Sequence, residues 1–117
     1  MKRLIPLTLV GALALAGSAG AATPTKTTLT ATVGPGFTIS LKKGRARVTT
    51  LKPGAYVIRV SDRSSIHNFH LRGPGVNKST PVGFMGSRTL NVTLKRGSYR
   101  FQCDPHSGQM RGSFTVR

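Results

Sequence analysis

The chain has a single cysteine, Cys103, so it cannot close an internal disulfide. In an exported protein a lone thiol is buried, reactive, paired with another chain or bound to metal. Acids are almost missing: only Asp62 and Asp104 stand against 18 lysines and arginines. No segment has the length and periodicity of an amphipathic helix. The longest apolar run, Leu4 to Ala16, is short and interrupted by glycine, and Thr/Pro-rich polar sequence follows it, so a membrane span is not expected. No cysteine follows that run, which argues against a lipoprotein anchor.

The same run has another use. Met1-Lys2-Arg3 gives it a basic start, and it ends in the small residues Ala19-Gly20-Ala21, the pattern of a Sec-type signal peptide. Cleavage is expected after Ala21, with residues 22–26 as a short linker and residues 27–117 as one domain. The mature protein would be periplasmic or secreted, with no transmembrane segment, and is expected to be a monomer. A chain of this size supports one core and has no room for a second.

Removing Lys2 and Arg3 lowers the basic count from 18 to 16 against two acids, a net charge of about +14. Such a field accelerates encounter with negative proteins or anionic surfaces, so an acidic redox protein or an anionic surface is the expected partner. Solubility alone is the competing explanation of the charge. Nucleic acid is not expected, because the basic residues are scattered and do not cluster on a helix or beside stacking aromatics.

From Thr27 onward, short β-rich runs alternate with Gly and Pro. The expected strands are Thr27 to Val33, Phe37 to Leu41, Ala55 to Val60, Ile66 to Leu71, Thr89 to Leu94, Ser98 to Cys103 and Gly112 to Val116. About seven to eight strands in so short a domain give an all-β sandwich. Leu51-Lys52-Pro53-Gly54-Ala55-Tyr56 and Leu94-Lys95-Arg96-Gly97-Ser98-Tyr99 look alike, each a turn leading into a strand.

Chemistry concentrates in Cys103-Asp104-Pro105-His106-Ser107-Gly108-Gln109-Met110, with His67-Asn68 upstream. A thiolate, two imidazoles and a thioether form the ligand set of a trigonal copper site with a weak axial methionine. Period-2 alternation predicts which side chains face inward. Tyr99, Phe101 and Cys103 share the core face, as do Tyr56, Ile58 and Val60, then Leu90, Val92 and Leu94, and finally Phe114 and Val116. His67, Phe69 and Leu71 oppose Asn68, His70 and Arg72, which puts His67 inside and His70 on the wet face. His67 is the better ligand. Met85, in Gly83-Phe84-Met85-Gly86, is expected to pack; its alternatives are a rival axial ligand or a surface residue near the site.

The segments Ile66-His67-Asn68-Phe69-His70-Leu71 and Tyr99 to Gly112 resemble those of plastocyanin-like or amicyanin-like cupredoxins, the small blue copper proteins. The resemblance covers roughly residues 27 to 117. It implies a Greek-key β-sandwich that binds one copper ion per chain, with His67, Cys103 and His106 as the trigonal set and Met110 as axial ligand. It also implies that Asn68 ties the His67 segment to the cysteine loop, and that the edge of His106 reaches the surface through an apolar rim. Pro35, Gly36, Pro74, Gly83, Phe84 and Pro105 are the candidates for that rim. His106 and Met110 are separated by three residues, against two in amicyanin-like loops and four in plastocyanin-like ones. Asp104 stands where a small neutral residue is usual and puts a charge near the thiolate.

The function so implied is one-electron transfer by an exported blue copper protein that is not an enzyme. Multicopper oxidases and copper nitrite reductases need further copper sites, and this chain has three histidines and no His-x-His pair. A copper-binding or chaperone protein would use the same four ligands, and a structural sandwich without metal would use none.

Overall fold

Alternating side chains build the strands. In the first, Leu29, Ala31 and Val33 are fully buried while Thr28 and Thr30 face water. The computed structural model describes residue 11 and residues 25–117. Apart from Gly11, the expected leader lies outside the described residues, as do residues 22–24 of the linker. The strands are β1 Thr27–Val33, β2 Ile39–Lys43, β3 Ala46–Arg47, β4 Thr50–Leu51, β5 Gly54–Asp62, β6 His70–Gly73, β7 Val76–Ser79, β8 Gly86–Leu94, β9 Gly97–Gln102 and β10 Arg111–Val116. No helix among the described residues is long and apolar enough to cross a membrane.

The strands form two five-stranded sheets, ordered β3-β2-β1-β5-β8 and β4-β10-β9-β6-β7. β1 runs parallel to β5, with Leu29 opposite Ile58 and Val33 opposite Asp62. β5 and β8 are antiparallel, with Gly54 opposite Leu94 and Asp62 opposite Gly86. The chain repeatedly changes sheet between consecutive strands, so sequence neighbours are often not spatial neighbours, as in Greek-key sandwiches. Between the sheets lie the predicted inward rows: Tyr56, Ile58, Val60, Leu90, Val92, Leu94, Tyr99, Phe101, Phe114 and Val116 are all buried. Burying a leucine or phenylalanine fully contributes about 1.5–3 kcal/mol each, so these rows carry the stability of a domain held by no disulfide.

The two similar segments are the corners where the chain changes sheet. Tyr56 donates its hydroxyl hydrogen to the carbonyl of Lys52 at 2.6 Å. The Tyr99 hydroxyl lies 3.1 Å from the Lys95 carbonyl and 3.0 Å from that of Pro74, and it accepts the Lys95 N–H at 2.9 Å. Each is a tyrosine corner, a buried ring whose polar tip satisfies the backbone of the preceding turn.

Three strands escape sequence reading. β3 and β4 are two residues each, and β7 buries only Val76, so none has enough alternation to register. The expected strand Phe37 to Leu41 begins two residues late, at Ile39. The expected strand Ile66 to Leu71 begins only at His70. Residues 66–69 lie outside the ladder: the Phe69 N–H donates to the side chain of Thr80, at Oγ1, at 2.9 Å, and only the Phe69 carbonyl keeps a main-chain partner, the Thr80 N–H at 2.9 Å.

Candidate metal centre

Cys103 ends the core-facing row of β9 and is fully buried. The chain then makes one 3-10 turn, Asp104–His106, with Pro105 in its first positions. Proline fixes φ near the helical value and suits that place. The turn brings His106 back over Cys103: the His106 N–H donates to the Cys103 carbonyl at 3.1 Å, and the Met110 N–H donates to the His106 carbonyl at 2.8 Å. Cys103 closes the loop by donating its N–H to the Met110 carbonyl at 3.0 Å. Met110 is fully buried.

His67 arrives from the irregular segment before β6 and is also fully buried. Its Nε2 lies 3.0 Å from the Gly36 carbonyl. A carbonyl only accepts, so Nε2 carries the hydrogen and the Nδ1 lone pair is free to face a metal. Gly34 is needed here, at φ +72°, because a Cβ would come within 3.2 Å of the His67 ring.

The three side chains converge. The Nδ1 atoms of His67 and His106 are 3.1 Å apart, and the Cys103 Sγ lies 3.7 Å from the first and 3.5 Å from the second. Among the described residues this is the one group of three or more His, Cys, Asp or Glu side chains placed to hold a metal. A first-row metal ion sits about 2.0 Å from imidazole nitrogen and about 2.3 Å from thiolate sulfur, and a triangle of this size accommodates one. Two imidazoles with one thiolate suit copper, and Met110, the expected fourth ligand, is buried in the same loop.

A polar network locks the loop from outside. The Asp104 N–H donates to Asn68 Oδ1 at 2.7 Å, and Asn68 Nδ2 donates to Asp104 Oδ2 at 2.9 Å and to the Thr80 carbonyl at 3.2 Å. Asn68 therefore does tie the His67 segment to the cysteine loop. Gln102 and His70 also reach the Asp104 carboxylate, each at 2.9 Å. Burial pushes the Asp104 pKa up, but the bonds from Gln102, Asn68 and His70, with the charge of His70, outweigh it and hold the carboxyl at about 2. The charge expected beside the thiolate is thus spent on Asn68, Gln102 and His70.

Several expectations need correction. His70 is not on a wet face: it is buried, held between Asp104 and Asn77. Strand alternation does not apply to residues 67–69, where His67, Asn68 and Phe69 are all buried. The separation of the two histidines stands for a different reason, since His70 is committed to Asp104 while His67 joins Cys103 and His106. Met85 is 63% exposed, so it is a surface residue and not a packing one. Pro74 cannot be part of a rim at the copper end. β6 runs away from the site, and Pro74 lies at the far end against Gly97. The residue that does meet the site is Phe37, 55% exposed, edge-on to His106 at 4.9 Å and to His67 at 5.5 Å between centroids. Its signal was an aromatic directly after the Gly34-Pro35-Gly36 turn, obscured by its assignment to a strand.

Fold and site together define a small copper-binding β-sandwich. The chain belongs to the family "copper binding proteins, plastocyanin/azurin family", which matches residues 37–117. Among solved structures, it is similar to a methionine-to-glutamine variant of rusticyanin (16% identity, 80% of each chain covered, TM-score 0.59). It is also similar to another rusticyanin structure (14%, 80% of each chain, TM-score 0.60). A third is the reduced Cu(I) form of an amicyanin variant (17% identity, 82% of this chain and 88% of the other covered, TM-score 0.53). None of the curated proteins matches the chain in sequence. The protein is a cupredoxin-like blue copper protein, and its cofactor is one copper ion per chain.

Proposed function

We propose that the protein is an exported one-electron carrier in which His67, Cys103 and His106 would hold copper, with Met110 as the fourth ligand. The observation that carries this reading is the three-donor triangle with edges of 3.1, 3.5 and 3.7 Å. Bound copper supplies the one-electron couple. The chain's own residues keep the donors where both oxidation states accept them. Gly36 fixes the His67 tautomer, Asn68 and Asp104 fix the start of the loop, and the Met110 carbonyl fixes its end. Little then has to move when the charge changes, and a small rearrangement means a low barrier to electron transfer.

His106 is the half-buried donor, and Phe37 covers its flank. Ile66, Val82 and Met85 add exposed apolar surface, with Gly83 of the same loop approaching Ser65 beside Ile66. This surface would admit a redox partner close to the ring edge of His106. Attraction of a partner or surface of negative charge follows from the basic excess. Full burial of Cys103 and His67 favours a carrier over a chaperone, because handing copper to an acceptor needs ligands that the acceptor can reach.

Protein-film voltammetry, run beside a transfer assay with a colorimetric Cu(I) chelator, tests the role. A carrier gives a reversible one-electron wave and keeps its copper against a modest excess of chelator. Rapid loss of copper with no reversible wave would replace the carrier by a chaperone.

A further inference from the structure

The sixteen lysines and arginines from Lys26 onward are scattered in sequence but polarised in space. His67, Cys103 and His106 define one end of the sandwich, where β1 finishes at Val33 and Gly34 touches the His67 ring. The starts of β1, β5 and β9 and the ends of β8 and β10 define the other end. There Lys43 ends β2 and Arg45 lies in the turn to β3, Lys52 lies between β4 and β5, and Lys95 and Arg96 lie between β8 and β9. Arg117 follows β10, and all of these are exposed. Lys43, Lys52 and Arg117 surround one open depression of about 550 Å³. Lys26, Lys78 and Lys95 surround a second of about 370 Å³.

Both acids lie at the copper end, Asp62 closing β5 and Asp104 next to Cys103. No acidic side chain among the described residues is therefore left to neutralise the opposite pole. The copper end has Arg63, Arg88 and Arg111, Arg72 reaches His70 at 3.2 Å, Arg47 lines a depression together with Arg111, and Arg88 lies over the Phe84 ring at 4.5 Å.

We propose that this basic pole rests on anionic lipid headgroups and turns the copper end outward. The inference concerns another surface than the copper centre and holds whether or not that centre carries electrons. Its cations come from several separate turns and spread over a broad, open face, which suits a delocalised negative surface better than a discrete ligand. Clusters of about four to eight Lys and Arg beside a membrane bind anionic lipid in this way, through the surface potential. The point of chain entry agrees. β1 begins at this pole, so the sequence before Thr27, with its apolar run from Leu4 to Ala16, joins the domain there. While the expected leader is still attached, this pole is the end of the domain that it joins.

Vesicle co-sedimentation of the copper-loaded exported protein tests this with two charge-matched variants. One carries Lys52→Glu, Lys95→Glu and Arg96→Glu at the basic pole. The other carries Arg63→Glu, Arg88→Glu and Arg111→Glu at the copper end. The parent should bind phosphatidylglycerol-containing vesicles and not pure phosphatidylcholine, and added salt should release it. The pole variant should lose at least about tenfold in partitioning, while the copper-end variant stays within about twofold, since the attraction decays within a Debye length. Circular dichroism confirms that both are folded. Equal loss in the two variants would mean that net charge alone acts and would overturn the assignment. So would failure of the parent to bind anionic vesicles while it binds soluble polyglutamate, which would make the pole's partner an acidic protein.

Discussion

His70 Nδ1 lies 2.9 Å from Asp104 Oδ1, a hydrogen bond that becomes the one salt bridge among the described residues when His70 is protonated. Its place is decisive, because Asp104 adjoins Cys103 and also bonds Asn68, the residue after His67. The pair thus braces both strands of chain that deliver donors to the metal centre without entering it.

The brace predicts an acid-sensitive fold. With a folded pKa of about 2, Asp104 is depressed below its ordinary value of 3.8. The unfolded chain then binds the proton more readily, so the stabilisation is present above about pH 4 and is lost as the pH falls toward 2. Chemical denaturation midpoints should decline across that window, and Asp104→Asn should lower stability near pH 7 and flatten the decline. Asp62 works in the opposite direction. Burial raises its pKa, and its Oδ2 has no hydrogen-bond partner, so protonation relieves strain there. If Asp104→Asn leaves the acid slope unchanged, the brace contributes nothing.

The histidines should divide cleanly. His67→Ala and His106→Ala each delete a donor of the triangle and should abolish or drastically alter the visible spectrum. His70→Ala should keep the spectrum nearly unchanged and cost about 1–3 kcal/mol of stability, the penalty for stranding buried polar partners. Loss of colour in the His70 variant, with copper still bound, would show that it touches the metal.

How much of this was legible in the sequence follows from the physics of each segment. Where a strand had one dry face, as in Tyr56-Ile58-Val60 or Tyr99-Phe101-Cys103, alternation identified the buried residues. It failed at 66–69, which lie outside the ladder and are held by side-chain bonds such as Phe69 N–H to Thr80 Oγ1 and Asn68 to Asp104, so period 2 has no meaning there. The convergence of Cys103 and His106 was readable from residue type and spacing, since both lie in one short loop. Phe37, the poles of charge and the burial of His70 depend on which ends of which strands meet, and a linear pattern does not contain that.

Two glycines should be irreplaceable. A Cβ on Gly73 would enter the ring of Tyr99, and one on Gly112 the ring of Phe101. Both rings are buried, and Tyr99 is pinned by its corner bonds. Gly73→Ala and Gly112→Ala should each destabilise by about 1–3 kcal/mol or more through overpacking, read as a fall in the thermal midpoint. Gly108→Ala, with open space around it, should change little.

Association rates should depend on salt. With a negatively charged small oxidant, the arginines at the copper end, Arg63, Arg88 and Arg111, should make the rate fall modestly as ionic strength rises through about 0.1 M, where the screening length is about 10 Å, and with a neutral oxidant it should stay flat. Stopped-flow traces across a salt series read both. Identical flat lines would leave the basic residues too remote from the electron port to act on it.

The most direct test of the account is the visible spectrum of the protein titrated with Cu(II). A thiolate bound to copper gives an intense blue or green sulfur-to-metal charge-transfer band, so the colour should saturate at one copper per chain, and Cys103→Ser should remove it. A colourless copper complex of the unaltered protein, or colour that survives Cys103→Ser, would contradict the proposed centre.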